Sequence, residues 1–261
     1  LMYEMGRQIA RDMRSMKIDV NFAPVVDVNL HPDVNTIKDR SFGPDKNLVA
    51  DYGSAVMRGM QDGGVVACAK HFPGHGDTEV DSHKALPVLK FPKERLDSVE
   101  LYPFRRLIKD GVEMVMVGHL LVPVLDTLPA SVSKVVVTDL LRKKMKFRGL
   151  IITDALGMEG VLEPFGGSGA KATLAAYKAG VDILLMPDNV SESIDLIVDY
   201  IGDDRRRLKD LDARVSRVLA LKGKCGKLTG RDDLSVDPAA VDTKGTDALI
   251  TTIEETLAAG R

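Results

Sequence analysis

The sequence predicts an α/β fold built from repeated βα units. Short apolar runs recur at intervals of roughly thirty to fifty residues, with amphipathic segments between them. Glycines follow most of the amphipathic segments, as expected where a helix ends. Repeated βα units fit either a doubly wound sheet or part of an eight-stranded barrel.

The strands are predicted from runs that are apolar nearly throughout. Such runs are typical of parallel strands that are buried on both faces. They lie at 18–23, 65–70, 112–118, 149–154 and 181–186.

The helices are predicted from apolar residues at helical spacing. The first begins at the start of the chain, where Met2, Met5, Ile9, Met13 and Met16 mark one face. No initiator methionine, signal peptide or N-cap precedes it, so we expect the chain to be a piece of a longer protein. The other helices are predicted at 47–62, 93–110, 134–147, 168–179, 193–201 and 208–222.

The composition excludes several classes of function. The chain has 36 basic and 38 acidic residues, a formal net charge of −2, so no basic field favours nucleic acid as a partner. No apolar run approaches the ~20 residues that a membrane-spanning helix needs. The two cysteines are too few for a disulfide framework, and Cys68 lies in an apolar run that predicts a buried core position.

Polar residues at strand ends favour the barrel. His71, His119 and Asp154 each fall at or just after the end of a predicted strand, and Asp27 follows a few residues beyond its own. In a barrel this face carries the active site. Neither the GxGxxG nor the GxxxxGK[ST] pattern follows any strand, which removes the usual nucleotide signals of a doubly wound sheet.

The loop "AKHFPGHGDTEVDSHKALP", residues 69–87, contains three of the five histidines and allows two interpretations. The first is a metal site, with possible ligands at His71, His75, Asp77, Asp81 and His83. The second is an acid–base pair in which the Asp81 carboxylate orients the His83 imidazole. The second is favoured, because the glycines and proline of the loop oppose the helix that would place His71 and His75 on one face.

Asp154 complements this pair. It ends a buried strand and is followed by small residues in "TDALGM", which leaves space in front of the carboxylate. Such a carboxylate suits covalent attack on the anomeric carbon of a sugar. The alternative is an N-cap of the following turn.

Four segments together resemble the N-terminal barrel domain of glycoside hydrolase family 3, with the bacterial β-N-acetylhexosaminidases as the most similar branch. They are "NFAPVVDVN", "DRSFG", "KHFPGHGDTEVDSHKALP" and "TDALGM". The resemblance covers residues 1–225 and implies a (β/α)8 TIM-type barrel that here lacks its first βα units. Residues 226–261 are predicted to form a linker or helix towards a C-terminal domain outside this sequence.

The resemblance implies a retaining exo-β-N-acetylglucosaminidase that needs no cofactor and no metal. Asp154 would be the nucleophile, and His83, oriented by Asp81, would be the general acid and then the base. The sugar hydroxyls would be held by Arg40, Lys70 and His71. Asp27, His119 and Met158 are further candidates: Asp27 could touch the sugar or support the loop of Arg40, and His119 could line the leaving-group side or be structural.

The substrate implied is a glycan or muropeptide with a terminal N-acetylglucosamine, as in peptidoglycan recycling. One departure from the family pattern is Ala155, where single-domain members carry a second acid. A strand ending in "DxEGG", whose aspartate holds the sugar, is expected upstream of Leu1. The alternatives are a phosphorolytic enzyme or another β-glycosidase of the family, a metal-dependent hydrolase using His71, His75 and Asp77, and a carbohydrate-binding fragment that is inactive alone.

Overall fold

The computed structural model describes residues 1–31, 37–78, 86–226 and 242–259. Its centre is a parallel sheet of four strands in the order β1-β2-β3-β4. The strands are β1 Val20–Asn21, β2 Val66–Phe72, β3 Met114–Val117 and β4 Leu150–Thr153. Each falls within or beside a predicted run, and the predicted α/β class with a parallel sheet is confirmed. Closure into an eight-stranded barrel stays a prediction.

The predicted fifth strand, 181–186, is not a strand in the structure. It runs parallel to β4 with one isolated bridge, between Ile152 and Ile183, and with backbone hydrogen bonds from Ile183 N to Ile151 O (3.1 Å) and from Thr153 N to Ile183 O (3.1 Å). Side chains replace part of the backbone ladder, because the Asp182 carboxylate accepts from Ile151 N (2.8 Å) and the Thr153 hydroxyl accepts from Leu185 N (3.0 Å). Regular strand pairing is therefore interrupted there.

Helices surround the sheet. Most of the predicted helices begin and end within a few residues of the predicted bounds. The α-helices are α1 Met2–Ser15, α2 Lys46–Asp62, α3 Lys93–Arg95, α4 Leu101–Lys109, α5 Glu159–Leu162, α6 Gly169–Ala179, α7 Val190–Ile201, α8 Arg205–Lys224 and α9 Thr243–Ala259. A π-helical segment, Leu96–Glu100, joins α3 to α4, and a second, Val135–Lys144, occupies the helix predicted at 134–147. The domain boundary at residue 225 stays a prediction; α9 lies within the predicted linker or helix region.

The two faces of the sheet belong to different apolar clusters. The face towards α2 and α4 forms the main core, with Ala67, Ala69, Val115, Val117 and Ile151. The opposite face forms a smaller cluster, with Val66, Cys68, Met114, Met116, Leu150 and Ile152, against which residues of α8 pack. Cys68 is fully buried there, as predicted. Both faces are covered, which explains why the strands are apolar throughout.

No helix in the described ranges is long and apolar enough to cross a membrane.

Candidate active site

The carboxyl ends of the parallel strands bring the predicted polar residues to one edge of the sheet. Lys70 and His71 lie near the end of β2, His119 follows β3, and Asp154 follows β4. Asp27 reaches the same edge because Val25 pairs in parallel with Lys70, and Val26 N donates to Lys70 O at 2.8 Å. The sheet therefore gathers residues from distant parts of the sequence at one site.

Asp27 is the central hydrogen-bond acceptor of this site. Its side chain is fully buried, and Oδ1 accepts hydrogen bonds from His71 N (3.0 Å) and His75 N (2.8 Å). Oδ2 accepts from His71 Nδ1 at 2.8 Å. Burial alone would raise the pKa of Asp27, but the electrostatic interaction and hydrogen bond with the His71 imidazole, together with the interaction with His75 and its N–H, outweigh burial and hold the pKa below its ordinary value. The carboxylate thus stays ionised and fixes the loop after β2.

Asp27 also ties this loop to the segment of Arg40. The Ser41 hydroxyl donates to Asp27 O at 2.7 Å, and Asn29 N donates to Gly43 O at 3.0 Å. Of the two predicted roles for Asp27, these contacts favour support of the loops over direct contact with the sugar. Its carboxylate oxygens are already engaged by protein donors.

His71 is oriented by Asp27. Since a carboxylate oxygen only accepts, Nδ1 of His71 carries the proton. Nε2 is then the ring atom available to a ligand, and within the described ranges no side chain hydrogen-bonds to it. A neutral His71 would accept a hydrogen bond from a sugar hydroxyl through Nε2.

His75 and Thr78 hold the next part of the loop. The Thr78 hydroxyl lies 2.6 Å from His75 Nδ1 and 3.0 Å from His75 O. Burial lowers the pKa of His75 below its ordinary value, although the Asp27 carboxylate acts in the opposite direction. These contacts favour a structural role for His75.

Two cationic side chains, Arg40 and Lys70, lie close enough to interact electrostatically. Arg40 ends the 3-10 helix Lys38–Arg40, and Lys70 is half-buried near the end of β2. Burial lowers the pKa of the Lys70 ammonium group below its ordinary value, and the positive charge of Arg40 lowers it further. The carboxylates of Asp154 and Asp27 oppose this shift. Lys70 therefore lies within the electrostatic reach of Arg40 and of both carboxylates.

Asp154 presents a half-buried carboxylate at the end of β4. Its own N–H donates to Val117 O at 2.9 Å, and its Oδ1 accepts from Ala155 N at 2.8 Å. Helix α5 begins at Glu159 with Met158 as its N-cap, so Asp154 does not cap that helix. A partly exposed carboxylate with one oxygen held in place is suited to covalent attack through the other.

His119 and Met158 are buried, and both donate to the carbonyl of Ala155, the residue after Asp154. His119 is fully buried, with Nε2 at 2.9 Å from Ala155 O and Nδ1 at 2.7 Å from Ser131 Oγ. Met158 is buried, and its N–H donates to Ala155 O at 3.1 Å. For His119, these contacts favour the structural alternative over lining the leaving-group side.

The predicted acid–base pair, Asp81 and His83, lies outside the described residues. Of the alternative metal ligands, His71 Nδ1 is engaged by Asp27, His75 Nδ1 by Thr78, and Asp77 pairs with Arg95 at 3.1 Å. In the part of the chain that the structure describes, no three His, Cys, Asp or Glu side chains are grouped so that they could hold a metal ion.

Two residues of the site were missed by the sequence reasoning. Thr78 has a local signal, since it lies three residues after His75 in the same motif. No sequence signal predicts Ser131, because its partner His119 is 12 residues away and no recognisable pattern connects the two. Buried hydroxyls of this kind become visible only when the loops are in place.

A carboxylate, two cations and oriented histidines at the carboxyl edge of a parallel sheet are typical of the active-site face of an α/β enzyme. Residues 1–221 match the glycosyl hydrolase family 3 N terminal domain, and the chain belongs to that family. The predicted resemblance is thereby confirmed.

Named relatives agree with this membership. The chain is 34% identical to beta-hexosaminidase A of Pseudoalteromonas piscicida over 83% of its length, which is 40% of that protein. It is 36% identical to a beta-hexosaminidase of Methylobacillus flagellatus over 72% of its length, which is 54% of that protein. The chain therefore spans about half the length of these curated relatives.

A solved structure shows the same fold. The family 3 β-N-acetylglucosaminidase from Paenibacillus sp. str. FPU-7 superimposes with a TM-score of 0.81 at 36% identity. The match covers 92% of this chain and 48% of that one.

Proposed function

We propose that the protein is a retaining exo-β-N-acetylglucosaminidase that removes terminal β-linked N-acetylhexosamine from a glycan. The observation that carries the proposal is the half-buried Asp154 carboxylate at the end of β4, with Oδ1 held by Ala155 N at 2.8 Å. It lies within the electrostatic reach of Lys70. The beta-hexosaminidase relatives and the β-N-acetylglucosaminidase of similar fold support the same substrate class.

In the first step, a carboxylate oxygen of Asp154 forms a bond to the anomeric carbon as the glycosidic bond breaks. The His83 imidazolium, oriented by Asp81, gives its proton to the leaving oxygen. In the second step, neutral His83 takes a proton from water, the water oxygen bonds to the anomeric carbon, and Asp154 leaves as a carboxylate. A cationic acid can approach the carboxylate without the repulsion that two carboxylates feel.

The binding residues are proposed to act on the sugar hydroxyls. Arg40 and Lys70 would donate hydrogen bonds, and His71 would accept one through Nε2. Asp27 would not touch the sugar but would hold His71 in the tautomer that makes this possible.

The first test is hydrolysis of 4-nitrophenyl β-N-acetylglucosaminide by the complete protein and its Asp154→Asn variant. Asparagine keeps the shape of the side chain but is a poor nucleophile, so we expect kcat to fall at least about 10³-fold. Asp139→Asn is the matched control, because Asp139 is an exposed helix carboxylate that pairs with Lys143. Undiminished turnover in Asp154→Asn would refute the assignment of the nucleophile.

The acid–base pair is tested by a second comparison. In His83→Gln, kcat should fall most for substrates with poor leaving groups, because their departure depends most on protonation by the acid. Equal loss for the 4-nitrophenyl glycoside and for chitobiose would contradict the role of His83 as the acid.

The product separates hydrolysis from phosphorolysis. In phosphate buffer we expect free N-acetylglucosamine, whereas release of a sugar 1-phosphate would favour the phosphorolytic alternative. A comparison of chitobiose with a muropeptide that carries the same terminal sugar tests the proposed link to peptidoglycan.

A further inference from the structure

His119 is joined to the proposed nucleophile through a single residue, Ala155. The imidazole is fully buried, with Nε2 at 2.9 Å from the Ala155 carbonyl oxygen. Ala155 in turn donates its N–H to Asp154 Oδ1 at 2.8 Å. One residue therefore links the buried histidine to the carboxylate.

The partners of the ring determine its tautomer. A carbonyl oxygen only accepts, so Nε2 carries the proton. In the neutral ring Nδ1 then accepts, and Ser131 Oγ at 2.7 Å is its donor. Ser131 is itself fully buried. The result is a directed chain of hydrogen bonds from the Ser131 hydroxyl through the ring to the Ala155 carbonyl.

The Ala155 carbonyl has a second donor, Met158 N, at 3.1 Å. With two donors on its two lone pairs, this carbonyl is saturated. Rotation of the peptide groups around Ala155 is therefore opposed on the carbonyl side by His119 and on the amide side by Asp154. The same restraint decides which oxygen of Asp154 is held and which is presented to the ligand.

We propose that His119, oriented by Ser131, is a positioning residue for Asp154: through the Ala155 carbonyl it fixes the direction of the attacking carboxylate. This inference rests on the proposed function, in which Asp154 is the nucleophile. A displacement of a reacting group by about 1 Å can cost roughly 10²-fold in rate. Because His119 is fully buried, we expect the restraint to act on the reaction and not on the affinity for the sugar.

The decisive comparison is His119→Leu with His119→Gln in the complete protein. The glutamine amide nitrogen lies the same number of bonds from Cβ as Nε2 and can donate to the Ala155 carbonyl, whereas leucine cannot. We expect His119→Leu to lower kcat for 4-nitrophenyl β-N-acetylglucosaminide by about 30- to 100-fold, with KM changed by less than about threefold. His119→Gln should stay within about fivefold of the parent kcat.

A matched pair of serine variants tests the same series of hydrogen bonds without changing His119. Ser131 lies in the short 3-10 helix Ala130–Val132, and Ser133 follows it. Both serines are fully buried, but Ser133 donates to Asp126 whereas Ser131 contacts His119. Ser131→Ala should lower kcat by about five- to tenfold at unchanged KM, and Ser133→Ala should lower the melting temperature but leave kcat within about twofold. If His119→Leu does not fold, this pair decides the question; equal kcat values for the two variants would overturn the proposal.

Trapping separates this inference from the proposed function. A 5-fluoro glycosyl fluoride of N-acetylglucosamine should label Asp154 in the parent, and should label it more slowly in His119→Leu. Absence of label on Asp154 in the parent would overturn both the proposed function and this inference. Label on Asp154 at the same rate in the parent and in folded His119→Leu would overturn this inference alone.

Discussion

Replacement of Asp27 by asparagine tests the contribution of its carboxylate to the site and to stability. The carboxylate accepts from His71 N, His75 N and His71 Nδ1, at 3.0, 2.8 and 2.8 Å, with no exposure to solvent. Asparagine has one acceptor oxygen, which can serve the two backbone donors. Its amide nitrogen then faces His71 Nδ1, and two donors meet unless the ring changes its tautomer.

The expected loss can be worked out from these contacts. Hydrogen bonds to a charged group contribute about 1.5–3 kcal/mol and neutral ones about 0.5–1.5 kcal/mol, so each backbone bond weakens by roughly 1 kcal/mol. The third bond is lost or reversed, while removal of a buried charge offsets part of the loss. We expect the free energy of unfolding at neutral pH to fall by about 2–4 kcal/mol. KM should rise about tenfold, because a changed tautomer makes His71 Nε2 a donor instead of an acceptor.

The assay is urea unfolding of parent and variant across a range of pH. The folded-state pKa of Asp27 is lowered from an ordinary value of 3.8, so its contribution is fully present above that pH and is lost as the pH falls further, through the folded-state pKa. The difference between parent and Asp27→Asn should therefore be constant above about pH 5 and shrink in stronger acid. Asp139→Asn serves as the exposed control. An Asp27→Asn midpoint equal to that of the parent at neutral pH, with an equal slope, would refute the reasoning.

Two further predictions concern the loop after β2. His75→Asn keeps a donor for Thr78 but cannot titrate. Because burial lowers the folded-state pKa of His75 below 6.5, the parent should lose stability as the pH falls below that value. In thermal unfolding between about pH 7.5 and 5.5, the melting temperature of the variant should therefore fall less than that of the parent. Equal losses would contradict a buried neutral His75. Gly76→Ala should cost about 1–3 kcal/mol in urea unfolding, because its Cβ would meet Val28 O at 2.0 Å. Gly169→Ala should lower the free energy of unfolding by less, because the nearest atoms to its Cβ belong to the side chain of Asp188, at 3.0 Å or more. An equal decrease for both variants would show that the Gly76 contact relaxes freely.

Much of the scaffold follows from local patterns. The runs at 65–70, 112–118 and 149–154 predict β2, β3 and β4, because a strand covered on both faces must be apolar throughout. Helical spacing predicts the segment 134–147 as a helix, but not that Val135–Lys144 is a π-helix, since the same apolar face suits both. The fifth run is not a regular strand, because side-chain oxygens of Asp182 and Thr153 replace backbone carbonyl oxygens as acceptors of two hydrogen bonds. An apolar pattern does not reveal such side-chain bonds.

The candidate site divides in the same way. The amino-acid sequence by itself determined the family and the strand-end positions of Lys70, His71 and Asp154, whereas the division of the histidine loop into separate roles stays a prediction. Only the tertiary structure decided that Asp27 holds the loop of His71, from 44 residues away, and that His119 holds the turn of Asp154, from 36 residues away. The physical reason is that periodicity and motif spacing report neighbours along the chain, whereas a buried hydrogen bond depends on how strands stack in space and leaves no local mark.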